Sequence, residues 1–416
     1  MERLLRRLRH MSEYAVVLAK WLAVGGVIGV IGGLIGTLFH IGVEEATLLR
    51  EHHHWLLYLL PVAGLVIVAL YRFSGMEGKG TNAVIESVHF GKKVSSMLVP
   101  VIFLSTVLTH LCGGSAGREG AALQIGGGIG HKTGRLLHLG EKDMPLATLC
   151  GMSALFAALF GTPLTATVFA LEVVSVGVFY YAGLVPCITS AMTAFLISRQ
   201  IGVAPTRLSV MIPQVEPVTM LQVIGLAALC GLISILFCRS LHAVEHKVEH
   251  LLPNPWLRAV VGGALLIGLT FLVGTADYNG AGMGVIERAV AGEADPFAWV
   301  WKLIFTLITI SFGFKGGEVV PSFFIGATFG CVAGGLLGLS PGLGAAIGLI
   351  SVFCGAVNCP IASTLLAMEL FGTGEVLYFA MACAVSYLVS GYSGLYSSQT
   401  ILYSKLRAEF INRRSK

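Results

Sequence analysis

Two glycine-rich stretches of this chain, 200 residues apart, are near-copies of each other. Gly113-Gly-Ser-Ala-Gly-Arg-Glu119-Gly-Ala-Ala-Leu-Gln-Ile-Gly-Gly-Gly-Ile-Gly130 aligns with Gly313-Phe-Lys-Gly-Gly-Glu-Val-Val-Pro321-Ser-Phe-Phe-Ile-Gly-Ala-Thr-Phe-Gly330, with identities at Gly113/Gly313, Gly117/Gly317, Ile125/Ile325, Gly126/Gly326 and Gly130/Gly330. Each reads as a glycine-rich turn opening an apolar helix, and free N–H groups at a helix start favour negative charge. The second match, Pro163 to Glu172 against Pro360 to Glu369, again places a glutamate nine residues after a proline. A chain with this repeat folds as two related halves. The identities do not fix whether one half is inverted with respect to the other, although internal repeats of inverted topology recur in transporters.

Composition decides the solvent. The chain is 55% hydrophobic and 12% charged, with mean hydropathy +0.83, where a soluble domain is nearer a quarter charged. This predicts an all-α, multi-pass integral membrane protein in contact with lipid, because a bilayer leaves no water to satisfy loose backbone. Glycine makes up 53 of 416 residues, which suits close helix packing and helices broken inside the protein. Several apolar segments, among them 97–112, 120–136 and 360–371, fall short of the ~20 residues a spanning helix needs. The first, about 16–39, is too long for a cleaved leader and is expected to span. The net charge of +5 sits at the ends, in Arg3, Arg6, Arg7 and Arg9 and in Lys405, Arg407, Arg413, Arg414 and Lys416. The positive-inside rule then places both termini in the cytoplasm, and such flanking charge does not imply nucleic-acid binding.

The organisation expected is a basic N-terminus (1–12), a first transmembrane repeat (13–200), a linker (201–217) rich in proline, a second repeat (218–404) and a basic tail (405–416). With the chain closing soon after its last apolar segment, no appended regulatory domain is expected. The nine cysteines lie mostly in apolar runs without metal-ligand spacing and read as small buried hydrophobes. His242, His246 and His250 repeat every four residues beside Glu245 and Glu249. That spacing would suit a metal, but alternation with Leu241, Val244 and Val248 reads as the polar side of an interfacial helix, so no metal or cofactor is expected.

Glu119 is the residue that carries chemistry. A carboxylate at membrane depth is costly, and here it opens a helix where free N–H groups and the helix dipole favour negative charge. A diffusing anion would compete with it for that place, and protonation of Glu119 would release the place to the anion. In the second copy, the backbone N–H groups of Val319 and Val320 before Pro321 can face the same anion. A third glycine-rich turn, Glu77-Gly78-Lys79-Gly80-Thr81-Asn82, precedes a helix. Thr81 and Asn82 are candidate N-caps. Alternatively the Thr81 hydroxyl donates to an anion, and Lys79 either steers anions or is a solvated loop charge.

Gly-Arg-Glu-Gly-x-x-x-Gln-x-Gly-Gly, with Gly-Gly-x-x-x-Pro in the second half and a tyrosine near the end, resembles the CLC family of anion channels and proton-coupled anion antiporters over about residues 15–406. The resemblance implies a fold of two inverted-topology helical repeats with short, broken helices, no enzymatic activity, and homodimers with one pore per subunit. It makes Glu119 the gating and proton-accepting carboxylate. Thr81, Val319, Val320 and Tyr396 become the anion-binding residues, with Lys79, Asn82, Arg118 and Tyr403 as candidates for steering or coupling. Tyr403, like Tyr396, precedes a serine and is the second candidate for the pore tyrosine.

Three departures narrow the likeness. The family's Gly-Ser-Gly-Ile-Pro is absent, with Thr81 or Lys79 in the serine's place. Val173 stands where exchangers usually carry an inner proton glutamate, as it does in chloride channels; the fluoride-exporting subclass also lacks that glutamate. Gly-Gly-Glu-Val-Val-Pro replaces the family's Gly-x-Phe-x-Pro and is similar to the bacterial fluoride/proton antiporters, although the threonine they often place before the proline is Val320 here. The resemblance implies a proton-coupled fluoride exporter of the bacterial inner membrane, the alternative being a chloride channel or chloride/proton exchanger.

Overall fold

The computed structural model describes residues 2–78 and 80–415, with side chains from Ser12 onward. Its helices divide into two sets of eight. The first comprises α1 (Glu2–His52), α2 (Leu60–Ser74), α3 (Thr81–Phe90), α4 (Leu98–Leu111), α5 (Glu119–Leu136), α6 (Met144–Phe160), α7 (Pro163–Glu172) and α8 (Leu184–Ile201). The second comprises α9 (Pro217–Leu251), α10 (Pro255–Val273), α11 (Met283–Val290), α12 (Ala298–Ser311), α13 (Val319–Leu336), α14 (Pro341–Val357), α15 (Pro360–Phe371) and α16 (Val376–Val389). Corresponding helices have matching lengths: α4 and α12 have 14 residues, α5 and α13 have 18, α6 and α14 have 17. Proline in the first turn opens α6, α7, α14 and α15, where its missing N–H costs nothing.

Among the described residues, six helical stretches, including Ser12–His52, Pro217–Leu251 and Val319–Leu336, are long and apolar enough to cross a bilayer, and several shorter apolar helices lie among them. Short helices in hydrocarbon need their ends covered by protein, and the centre of this molecule provides that cover. In the α5–α6 and α13–α14 pairs the helix backbones approach closely, and glycine makes this approach possible. A Cβ on Gly151 would stand 2.7 Å from the Gly130 nitrogen, and one on Gly348 would stand 2.7 Å from the Gly330 Cα. The identities Gly126/Gly326 and Gly130/Gly330 are therefore packing requirements met twice.

The two halves meet through their repeated motifs. Gly117 and Gly317 form an isolated antiparallel bridge, each N–H donating to the other's carbonyl at 2.7 Å. Equivalent residues paired antiparallel define a local two-fold axis, and α5 and α13 begin beside it with their N-termini facing. The other matched pair of segments, 163–172 and 360–369, forms a reciprocal clamp. Glu172, ending α7, accepts from Ile361 N (3.2 Å) and Ala362 N (2.8 Å) at the start of α15. Glu369, near the end of α15, accepts from Leu164 N (3.0 Å) and Thr165 N (2.8 Å) at the start of α7. Each half thus caps a helix of the other with a carboxylate placed where free N–H groups await an acceptor.

The chain also makes a small sheet that the all-α expectation does not include. β1 (Ser175–Val176) pairs parallel with β2 (Thr400–Tyr403), which pairs antiparallel with β3 (Phe410–Arg414). The segment read from sequence as a basic tail is therefore partly a strand, and Ser415 N donates back to Gln399 O at 2.9 Å. Helices α1 and α8 run parallel, since Gly25, Gly29 and Gly33 approach Pro186, Ser190 and Ala194 in order. The sheet, which holds the strand just before α8, consequently lies on the side where α1 begins. All nine cysteines are buried and free of disulfides.

Candidate anion pathway

Glu119 is the first residue of α5, and its side chain is fully buried. Its Oε2 accepts from the Arg118 backbone N–H at 2.9 Å, and the Val320 N–H of the other repeat also faces the carboxylate. The Arg118 guanidinium stands alongside, with Nε 4.0 Å from Oε1. Oε1 has no hydrogen-bond partner. The carboxylate therefore occupies the place between two helix N-termini that would suit an anion. Glycine is needed around it, because a Cβ on Gly117 would meet Val320 Cβ at 3.0 Å and overlap the Glu119 carboxylate itself.

A cleft of about 630 Å³ reaches Glu119 from the side opposite the sheet, lined among others by Arg118, Val320, His40, His110 and Gly282. Its charges are mostly paired. His40 Nε2 lies 3.1 Å from Glu44 Oε2, and Arg288 Nη2 lies 2.6 Å from Asp277 Oδ2. His110 is buried and donates from Nδ1 to the Thr106 carbonyl at 2.9 Å, leaving Nε2 without a partner.

Around Glu119 and from there toward the sheet the structure gathers other residues singled out from sequence. Val319 and Val320 open α13 and are buried. Thr81 opens α3 but does not cap it. The N-cap is Gly80, and no side chain caps the helix, so the N-cap reading of Thr81 and Asn82 is corrected. The reason is tertiary. Thr81 Oγ1 accepts from Gln124 Nε2 of α5 at 3.0 Å and lies 3.5 Å from Gly120 O. Asn82 Oδ1 accepts from Ser398 N at 3.0 Å, tying α3 to the loop after α16. That loop carries Tyr396, which is buried with its hydroxyl unpartnered and within electrostatic reach of Glu318 and Glu119. Tyr403 is half exposed on β2 against Phe410, with ring centroids 5.6 Å apart, and does not join this group. Lys79 lies outside the described residues.

Two charged residues near the pathway were not singled out from sequence. Glu318 precedes α13, and its carboxylate would lie 3.1 Å from a Cβ on Gly120, next to Glu119. The signal existed in the repeat, where Glu318 aligns with Arg118. Lys302 of α12 is fully buried and donates to Gly280 O (2.7 Å) and Tyr278 O (3.2 Å), with its ammonium 5.0 Å from the Phe324 ring centroid. Nothing in the apolar run around Lys302 marks it out. At the place of the family's inner glutamate, Val173 is buried, and its carbonyl accepts from Gln399 Nε2 at 2.9 Å. The histidine series on α9 gives His242 bonded to the Gly394 carbonyl at 3.0 Å and His246 packed on His250. Among the described residues no cluster of metal-ligand type is present.

Comparisons with known proteins identify the family. A family model described as "Voltage gated chloride channel" matches residues 62–391. A "Chloride/fluoride channel protein" of Pseudomonas syringae pv. tomato is 37% identical over 93% of this chain and 88% of its own length. An "H(+)/Cl(-) exchange transporter ClcA" of Vibrio campbellii is 25% identical over 84% of this chain and 81% of its own. Among solved structures, a "CLC-type fluoride/proton antiporter" superposes with a TM-score of 0.88 at 33% identity, covering 92% of this chain and 98% of that one. With a matched family model over most of its length and a fold shared end to end, this chain belongs to the CLC family of anion channels and transporters, which are membrane proteins and not enzymes.

Proposed function

We propose that the chain is a proton-coupled halide antiporter that exports fluoride across a bacterial inner membrane, with Glu119 as gate and proton acceptor. The observation that carries this reading is the placement of the Glu119 carboxylate between the N-termini of α5 and α13, with one oxygen free of hydrogen bonds. A carboxylate and a halide have the same charge and compete for the same N–H groups. Protonation neutralises the carboxylate, frees it to leave, and opens the place to the anion. The anion and the ionised carboxylate therefore exclude each other from a single position, and the proton decides which of them holds it, which couples the two movements. Thr81, Val319, Val320 and Tyr396 supply donors along the route, and Arg118 and Asn82 assist by charge and by holding the tyrosine loop. Lys79, from its place in sequence, would steer anions. Fluoride holds its water strongly, so a site that strips it needs strong donors. Backbone N–H groups at helix starts and a tyrosine hydroxyl without other partners are of that kind. The solved fluoride/proton antiporter and the chloride/fluoride channel relative support this assignment.

A second reading, a chloride channel or chloride/proton exchanger, draws on the apolar Val173 at the inner glutamate's place and on the same donors, which would serve chloride as well. In either reading we infer a homodimer with one pore per subunit and both termini in the cytoplasm, following the basic ends. The deciding experiment is efflux from liposomes loaded with fluoride or chloride under an imposed pH gradient. Fluoride release that exceeds chloride release and is driven by the proton gradient is expected. Equal rates would remove the fluoride assignment, and fluxes blind to the pH gradient would remove antiport.

A further inference from the structure

The Tyr396 hydroxyl has no hydrogen-bond partner among the described residues. Its position is therefore set by the packing of its buried ring and by the way its loop, 393–399, is fastened. Leu395 N donates to Ala356 O at 2.9 Å, and Gln399 N closes the turn onto Tyr396 O at 3.0 Å. Asn82 holds Ser398 N, His242 bonds the Gly394 carbonyl and Ser415 N donates to Gln399 O, and one further residue reaches both ends of the loop. Asn358, which ends α14 in a left-handed conformation (φ 58°) and is fully buried, donates from Nδ2 to Ser393 O and to Gln399 Oε1, both at 3.1 Å. One amide thus holds both ends of the tyrosine loop. Gln399 in turn donates to Val173 O (2.9 Å) in the first half and to Val357 O (2.8 Å) in the second.

The amide of Asn358 has one acceptor left, Oδ1, and Lys405 fills it. Lys405 follows β2, folds inward, and donates to Asn358 Oδ1 at 2.5 Å, Tyr387 O at 2.8 Å and Ser390 Oγ at 3.0 Å. Three donors meet three acceptors, which uses the full capacity of an ammonium group. The group also lies 4.0 Å from the Tyr387 ring centroid, and no carboxylate pairs with it among the described residues. It sits where the C-terminal ends of α14 and α16 come together, which is where a cation is favoured by the helix dipoles.

We propose that Lys405 is a positioning residue for the anion-binding tyrosine. By fixing Asn358, it holds both ends of the 393–399 loop and so sets where the Tyr396 hydroxyl stands. This rests on the reading that Tyr396 donates to the transported anion. Lys405 touches no anion and acts only through the loop.

A double-variant comparison separates this role from general support of the fold. Halide binding to purified protein is measured by calorimetry for wild type, Lys405→Met, Tyr396→Phe and the double variant, with thermal unfolding followed in parallel. Lys405→Met is expected to weaken binding about fivefold, the scale of one lost hydrogen bond, and to add nothing further in the Tyr396→Phe background, because residues acting through one contact are not additive. Affinity unchanged in Lys405→Met, or a loss that persists in full without the tyrosine hydroxyl, overturns the inference whatever happens to stability. Should Lys405→Met not fold, Lys405→Gln, which keeps a donor for Asn358, carries the same comparison with a smaller expected loss. Wild-type protein that binds neither fluoride nor chloride would sink the anion-transport reading as well. Binding by wild type with no response to Lys405 sinks only this inference.

Discussion

The start of α5 and the start of α13 are the same structural object built twice, with the charged residues placed differently: Arg118 and Glu119 open the first, Glu318 and Val319 the second. Both follow a glycine turn, both run for 18 residues, and both pack a glycine face against the next helix. The first begins with Glu119; the second begins with Val319, with Val320 and Pro321 behind it. Both copies keep the glycines that the packing needs, whereas the position of Glu119 holds a carboxylate in only one. The α7 and α15 pair shows the opposite case. There the carboxylates, Glu172 and Glu369, are present in both halves and each caps the other half's helix. Symmetric charge is structural here, and asymmetric charge is the candidate for chemistry.

The largest effect expected from breaking this contrast is at Glu119. Glu119→Gln should abolish proton movement in liposomes while leaving anion flux, and Val319→Gln, at the equivalent place, should leave proton coupling intact. Proton transport persisting in Glu119→Gln would remove that residue from the proton path. Next in size are the shared glycines. Gly130→Leu and Gly330→Leu should each cost about 3 kcal/mol or more of stability, the upper range for overpacking a close contact, and to similar extents; unfolding in detergent measures both. A large inequality would show that the two halves are not packed equivalently.

The reciprocal caps should give a smaller and matched effect. Glu172→Gln and Glu369→Gln are each expected to lose roughly 1 kcal/mol, since each replaces a carboxylate at a helix N-terminus with a neutral acceptor. Destabilisation by only one of the two would break the symmetry argument. The smallest expected change separates the tyrosines. Tyr396→Phe should weaken halide affinity by about one hydrogen bond, roughly 1 kcal/mol, and Tyr403→Phe, half exposed on the sheet, should not change it.

Much of the fold was legible because it is repeated. Gly113/Gly313 through Gly130/Gly330 and the two Pro-to-Glu segments mark helix starts and ends directly. The apolar composition requires those helices to satisfy their own backbones. The sheet was not legible. β1 is a two-residue strand that exists only because β2 returns to it from the far end of the chain, and so short a pairing leaves no period in the sequence. The same holds for Thr81. Local sequence reads it as a cap, whereas Gln124, on another helix, takes its hydroxyl. Lys302 and Lys405 were also hidden, because their partners are backbone carbonyls and amides brought in by distant segments.

By itself the sequence determined the solvent, the helical class, the duplication, and a carboxylate, Glu119, at a helix start where the other copy has a valine. These follow from composition and local pattern, which need no knowledge of which segments touch. The tertiary structure decided that the two glycine turns face each other across the Gly117–Gly317 bridge. It also decided that Tyr396 and not Tyr403 is the tyrosine buried with a free hydroxyl, and that the basic C-terminal segment folds back to hold its loop. Those outcomes depend on hydrogen bonds between residues far apart in the chain, and a short unpaired donor or acceptor does not announce its partner in the sequence around it.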